Sequence, residues 1–197
     1  MRLAFLASNN GSGMRAVVAA AKAGRLDCTP VLLVTNRPGA PALVFARDEG
    51  IATEVVPTMP DPAAADERLA GVLVDSAPDL VVLSGYLRRL GPAVLAAFAG
   101  KMLNIHPALL PKFGGAGMYG RRVHEAVAAA GETESGASLH LVDAEYDHGP
   151  VIAQRRVRLP PGATAEQIEA LVTAIEPELM VETLRRISTG ELRLPST

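Results

Sequence analysis

Lys101–Lys112, KMLNIHPALLPK, reads as the end of an inner strand followed by an abrupt break in regular structure. Met102, Leu103 and Ile105 supply the apolar run of a buried strand, and Pro107 and Pro111 forbid helix or strand directly after it. Asn104 and His106 stand two apart, so on a strand both project to one face, near the carboxyl end where open α/β sheets bind their ligands. An amide donates a hydrogen bond to a carbonyl oxygen that gains charge, and an imidazole moves a proton near neutral pH. Two readings stay open here: Asn104 caps the strand end while His106 packs under the loop, or the pair performs carbonyl chemistry.

A second stretch, Ser135–Pro150, SGASLHLVDAEYDHGP, supplies context. Ser138, His140 and Val142 alternate with Leu139 and Leu141 as on a strand, a turn with Asp147, His148, Gly149 and Pro150 follows, and Val151 and Ile152 open another strand. A carboxylate at Asp147 close to His106 would favour imidazolium and raise the histidine pKa.

Toward the amino terminus, Leu3–Ala7 reads as a buried strand, Ser8–Gly13 as a small polar loop, and about Met14 to Ala23 as a helix. Free amides at a helix start make an anion site, which would place a phosphate near Gly11, Ser12 and Gly13; an ordinary turn capped by Asn and Ser fits the same residues. The G-x-G-x-x-G spacing of a dinucleotide site is missing, which argues against an NAD-dependent oxidoreductase. Strands at Pro30–Thr35, Ile51–Val56 and Asp79–Ser84 alternate with helices at Ala40–Asp48 and Asp66–Ser76, with Met59–Ala63 as loop. Gly85–Gly91 leads into a helix at Pro92–Phe98, and the glycine-rich loop Phe113–Gly120 into a helix at Arg121–Ala130, on which His124 is expected to face solvent. Val151–Leu159 should pair with Ser138–Val142 at a sheet edge, and Thr164 should cap a last helix whose stripe runs from Ile168 to Met180. The pattern predicts an α/β fold: a mostly parallel, Rossmann-like twisted sheet with helices on both faces and an antiparallel carboxyl-terminal edge, in a single domain over 1–197.

Composition limits the partners. The 197 residues are 49% hydrophobic, enough for a sizeable core, and the net charge of -2 without a basic run makes nucleic acid or an anionic membrane an unexpected partner. One cysteine, Cys28, excludes an internal disulfide and a cysteine-cluster metal site; no metal is expected. With no signal peptide visible and no apolar run of roughly 18 residues, a cytoplasmic protein is the expectation.

Asn104, His106 and Pro107 with LLPK after them, then Ser138, His140 and the Asp147-x-Gly149-Pro150 turn, resemble the folate-dependent formyltransferases, from Met1 to about Gly190. The resemblance is nearest to the branch that formylates glycinamide ribonucleotide in purine synthesis. It implies 10-formyltetrahydrofolate as co-substrate, Asn104, His106 and Asp147 as the catalytic set, and a monomer or homodimer. His148 varies in the family and stays outside that set. Leu87, Arg88, Arg89 and Leu90, with Asn104, Val142 and Asp143, would line the folate pocket, although Arg89 replaces an aliphatic residue and a family arginine falls near Pro62. Gly11, Ser12 and Gly13 would hold the acceptor phosphate and Glu176 its sugar hydroxyls. Here Asn9 replaces a family glycine, Gly13 an asparagine and Pro177 a histidine. Those departures leave room for a different small amine as acceptor. Methionyl-tRNA is disfavoured by the lack of a basic face, and formyltetrahydrofolate hydrolysis by the lack of an amino-terminal regulatory domain. A nucleotide-binding module without catalysis is the alternative from another class.

Overall fold

The computed structural model describes residues 1–195. Its elements run β1 (Arg2–Leu6), α1 (Ser12–Lys22), β2 (Thr29–Thr35), α2 (Pro41–Asp48), β3 (Ala52–Val55), α3 (Pro62–Asp75), β4 (Leu80–Leu83), α4 (Pro92–Ala97), β5 (Met102–His106), α5 (Arg121–Ala129), β6 (Glu134–Leu141), β7 (Val151–Arg158) and α6 (Ala165–Ser188). The 7-stranded sheet has the order β3-β2-β1-β4-β5-β6-β7. Strands β1 to β5 pair in parallel, whereas β6 runs antiparallel to β5 and β7 antiparallel to β6. The outer strand β7 carries Arg155, Arg156 and Arg158.

Alternate strand residues feed two cores. Leu3, Phe5, Leu33, Val82, Leu103 and Leu139 pack under α1, α2 and α6, and Ala4, Leu6, Val34, Val81, Leu83 and Met102 pack under α3 and α4. Asn104 and His106 continue the row that Met102 begins, so they belong to the α3/α4 face but lie beyond its apolar part. Chain order reverses between β1 and β4, and the crevice above such a reversal is where open sheets take ligands. The loops bordering it are tied together: the Ser8 amide donates to the Gly85 carbonyl (3.1 Å), the Leu87 amide to Ser8 Oγ (2.8 Å) and the Met14 amide to Ser84 Oγ (3.1 Å).

Several boundaries differ from expectation for local reasons. Helix α3 starts at Pro62, inside the stretch read as loop, because Asp61 Oδ1 accepts from the Ala63 and Ala64 amides (3.1 Å each) and proline at the first helical position has no N–H to waste. Helix α1 starts at Ser12, and β6 reaches back to Glu134. Helix α6 passes through Pro177 as one element, opened by a capping box in which Thr164 and Gln167 satisfy each other's amides. His124 corrects the expectation of a solvent-facing residue: it is only 3% exposed, beside buried Val123 and Val127, where α5 packs on α6. Its Nδ1 has no hydrogen-bond partner, and burial pushes its pKa below the ordinary imidazole value. Among the described residues, no helix is long and apolar enough to cross a membrane.

Asp66 anchors α4 and the loop before it, its two carboxylate oxygens accepting from the Gly91 amide (2.9 Å) and the Ala93 amide (2.8 Å). Replacing it by alanine leaves buried donors unpaired, and we expect Asp66→Ala to lose about 2 kcal/mol in urea unfolding. His124 is neutral in the fold but takes up a proton on unfolding once the pH falls below the free imidazole value. Stability should therefore decline as the pH drops through that window and level off below the folded pKa, with a slope of at most about 1.4 kcal/mol per pH unit for this one proton. His124→Leu should flatten that decline in urea midpoints measured between pH 7.5 and 5.

Candidate active site

The antiparallel pairing of β5 with β6 sets Asn104 opposite His140 and His106 opposite Ser138, with all these side chains on one face. His140 Nδ1–H donates to the Leu141 carbonyl (2.8 Å), which makes Nε2 the acceptor for the Asn104 amide nitrogen at 3.1 Å. Asn104 is thereby fixed in orientation. Its second N–H and its Oδ1 make no hydrogen bond among the described residues and border the cleft. Ser138 Oγ donates to the Ala108 carbonyl (2.6 Å) and accepts from the Leu110 amide (3.0 Å) and Gln154 Nε2 (2.8 Å), pinning the turn that follows His106.

Asp147 arrives from the β6–β7 connection with a left-handed φ of 56°. Gly149 makes this turn possible, since any Cβ there would overlap the Leu141 carbonyl. Asp147 Oδ2 lies 3.4 Å from His106 Nδ1 and accepts from the Gly115 amide (3.0 Å), while Oδ1 lies 3.5 Å from His140 Nε2. His106 Nε2 donates to the Phe113 carbonyl at 2.8 Å. The expected upward shift of His106 is corrected: burial outweighs the attraction of Asp147, and its pKa falls below the ordinary value. With Nε2–H given to the Phe113 carbonyl, Nδ1 is the ring atom that faces the carboxylate. Burial alone would raise Asp147, but His140, His106 and the Gly115 amide together hold it below the usual carboxylate value.

A cavity of about 360 Å³ opens beside Asn104, His106 and Asp147 and extends to Ser12, Gly13 and Glu176. Glu176 is a carboxyl without an ion pair among the described residues, and burial pushes its pKa up to about 7. Gly11 does not border this cavity; it is buried as the residue before α1, with φ of 63°. Leu87 and Arg88 line the same cavity. An adjoining hollow is bordered by Arg88, Arg89, Leu90, Asn104, Val142 and Asp143, and Leu87 is not among its lining residues. Arg88 makes no ion pair among the described residues, while Arg89 donates to the Ala144 carbonyl (3.1 Å) and stands 5.6 Å from the Tyr146 ring centre. His148 turns away to Asp143 (3.1 Å).

Sequence reasoning did not select His140, which orients Asn104, although its alternation with Ser138 carried the signal. It also passed over Tyr86 and Tyr146, which form walls of the cavity, and read Met180 as core only; Met118 and Tyr119 belong to the loop Phe113–Gly120, which the sequence placed beside the substrate and which lines the cavity. Nothing in the local sequence marks an aromatic residue of a loop as a cavity wall.

Comparison with known proteins identifies the family. Residues 1–184 match the sequence model of the family described as formyl transferase. The chain is 38% identical to a chloroplastic phosphoribosylglycinamide formyltransferase of Arabidopsis thaliana, over 98% of this chain and 67% of that protein. It is 34% identical to the phosphoribosylglycinamide formyltransferase of Escherichia coli, over 98% and 90%. The crystal structure of glycinamide ribonucleotide transformylase 1 from Symbiobacterium toebii superposes with a TM-score of 0.90 at 30% identity, covering 100% of this chain and 91% of that one. The motifs, the fold and these likenesses agree: the chain belongs to the formyl transferase family.

Proposed function

We propose that the protein transfers a formyl group from 10-formyltetrahydrofolate to the amine of glycinamide ribonucleotide, as the names of its relatives indicate for them. The observation that carries this reading is the meeting of Asn104, His106 and Asp147 at one end of a cavity whose other end holds Ser12, Gly13 and Glu176. One end offers polar groups suited to acyl transfer, and the other offers helix amides and a carboxylate suited to a phosphorylated sugar. A different small amine as acceptor is the second reading, motivated by Gly13 and Pro177.

We assign the ring of the donor to the adjoining hollow, where Leu90 and Val142 would supply apolar walls and Asp143 a polar edge. When bound there, it supplies the formyl group and an amine leaving group. Asn104, held by His140, donates its free N–H to the oxyanion that develops as the acceptor amine attacks. His106 Nδ1 takes the proton released by that amine, directly or through water, and Asp147 stabilises the imidazolium so formed. The same proton then passes to the departing nitrogen. Glu176 accepts from sugar hydroxyls when ionised, and the amides of Ser12 and Gly13 face the phosphate. Leu87, Arg88 and Arg89 would hold the remainder of the donor, the two guanidinium groups suiting its carboxylates.

This reading predicts that His106→Ala lowers kcat by about 100-fold to 10,000-fold, and Asn104→Ala by about 100-fold to 1,000-fold, in a spectroscopic assay of tetrahydrofolate release, with folding unchanged by circular dichroism. Near-full activity of His106→Ala would remove the residue from the mechanism. Because burial depresses His106, the acid limb of kcat should lie below the ordinary imidazole value. The pKa of Glu176 predicts a different effect: the acceptor KM should climb as the pH falls through about 7 and the carboxyl protonates. Glu176→Gln should raise KM at pH 8 and abolish that climb, measured as KM against pH from 6 to 8.5.

A further inference from the structure

Gly13 opens the second position of α1, and the space a side chain would fill there is occupied from the far end of the chain. A Cβ built on Gly13 would lie 2.7 Å from Met180 Sδ, 2.8 Å from Met180 Cε and 3.1 Å from Ser84 Oγ. Met180 is fully buried on α6, one helical turn after Glu176, and both border the cavity. Its thioether therefore lies directly against the start of α1, where the Ser12 and Gly13 amides make no hydrogen bond among the described residues.

The surrounding polar groups limit what such a floor accepts. Ser84 Oγ is engaged by the Met14 amide (3.1 Å). Arg15 donates to the Asn10 carbonyl (2.9 Å) and Arg37 to Asn9 Oδ1 (2.6 Å), and neither borders the cavity. At the start of α1 itself a ligand meets a pair of backbone amides, the Ser12 hydroxyl and an apolar base, a set suited to a single phosphoryl group, while the cation that borders the cavity, Arg88, comes from the loop after β4.

We infer that Met180 is a specificity-determining residue of the acceptor end: with Gly13 it forms an interlocking pair that sets the depth of the cradle for a compact phosphate monoester. The inference rests on the acceptor reading above and deepens it. A larger residue at 13 displaces the flexible thioether toward the cavity, where it takes up ligand space. A shorter, branched residue at 180 gives that space back.

The test compares Gly13→Ala, Met180→Leu and the double variant with the wild type, by steady-state kinetics with glycinamide ribonucleotide and by calorimetric binding of ribose 5-phosphate. Gly13→Ala should raise both the acceptor KM and the ribose 5-phosphate Kd about tenfold with kcat within about twofold, a loss of binding and not of chemistry. Met180→Leu alone deepens the cradle and should raise both constants by about threefold to tenfold, again with kcat nearly unchanged. The double variant should return to within about threefold of the wild type, the non-additivity of two side chains that compete for one space. Unchanged binding in Gly13→Ala, additive losses in the double variant, or no ribose 5-phosphate binding by the wild type would overturn the inference. Coupled ribose 5-phosphate binding without transfer to glycinamide ribonucleotide would overturn the acceptor reading and leave the pair standing. Transfer without coupling would do the reverse.

Discussion

A carboxylate and an imidazole removed together from most of the surrounding water are the constraint on which the site depends. Asp147 and His106 face each other at 3.4 Å with almost no exposure of the histidine. Two opposing effects meet there: attraction favours the charged ring, and lost hydration favours the neutral one. Burial prevails, so the ring holds its second proton less tightly than a free imidazole does. Everything that positions the pair, from the Ser138 anchor of the turn to the left-handed Asp147, sets the depth of that burial.

The second organising feature is the change of strand direction at β5. Parallel strands on one side bring helix starts to the cleft, and the antiparallel β6 on the other brings side chains directly across from Asn104 and His106. The phosphate-facing amides and the proton-carrying groups therefore come from two different kinds of sheet neighbourhood. Glycines allow the close approaches this requires: Gly149 under the Leu141 carbonyl, and Gly136 against the Arg155 backbone, where a side chain would push β7 away.

Much of this was legible in the sequence. Apolar periodicity located the strands and most helices, the Asn-x-His spacing put both side chains on one face, and Thr164 marked the start of α6. The start of α3 carried a readable signal in Asp61-Pro62, an N-cap followed by a first-turn proline, but the prolines around it suggested a loop. His124 was misplaced because a helix has a buried arc whose width depends on its neighbour, and α6 widens the arc of α5. The direction of the His106 shift is set by tertiary burial, which no local pattern contains. The contact of Gly13 with Met180 likewise joins two distant segments that only the folded sheet brings together.

The outer strand β7 has a further consequence, for behaviour in a crowded solution. An open sheet edge is a template onto which another chain can add a strand. Along β7, Arg155 is paired with Glu182 and Arg156 with Glu134, and Arg158 extends the charged row. An approaching strand would have to break these pairs and strip water from the guanidinium groups before its first backbone bond formed. The charges that decorate this edge thus act against fibrous self-association, and they do so on the border of the hairpin that holds Asp147 and His140.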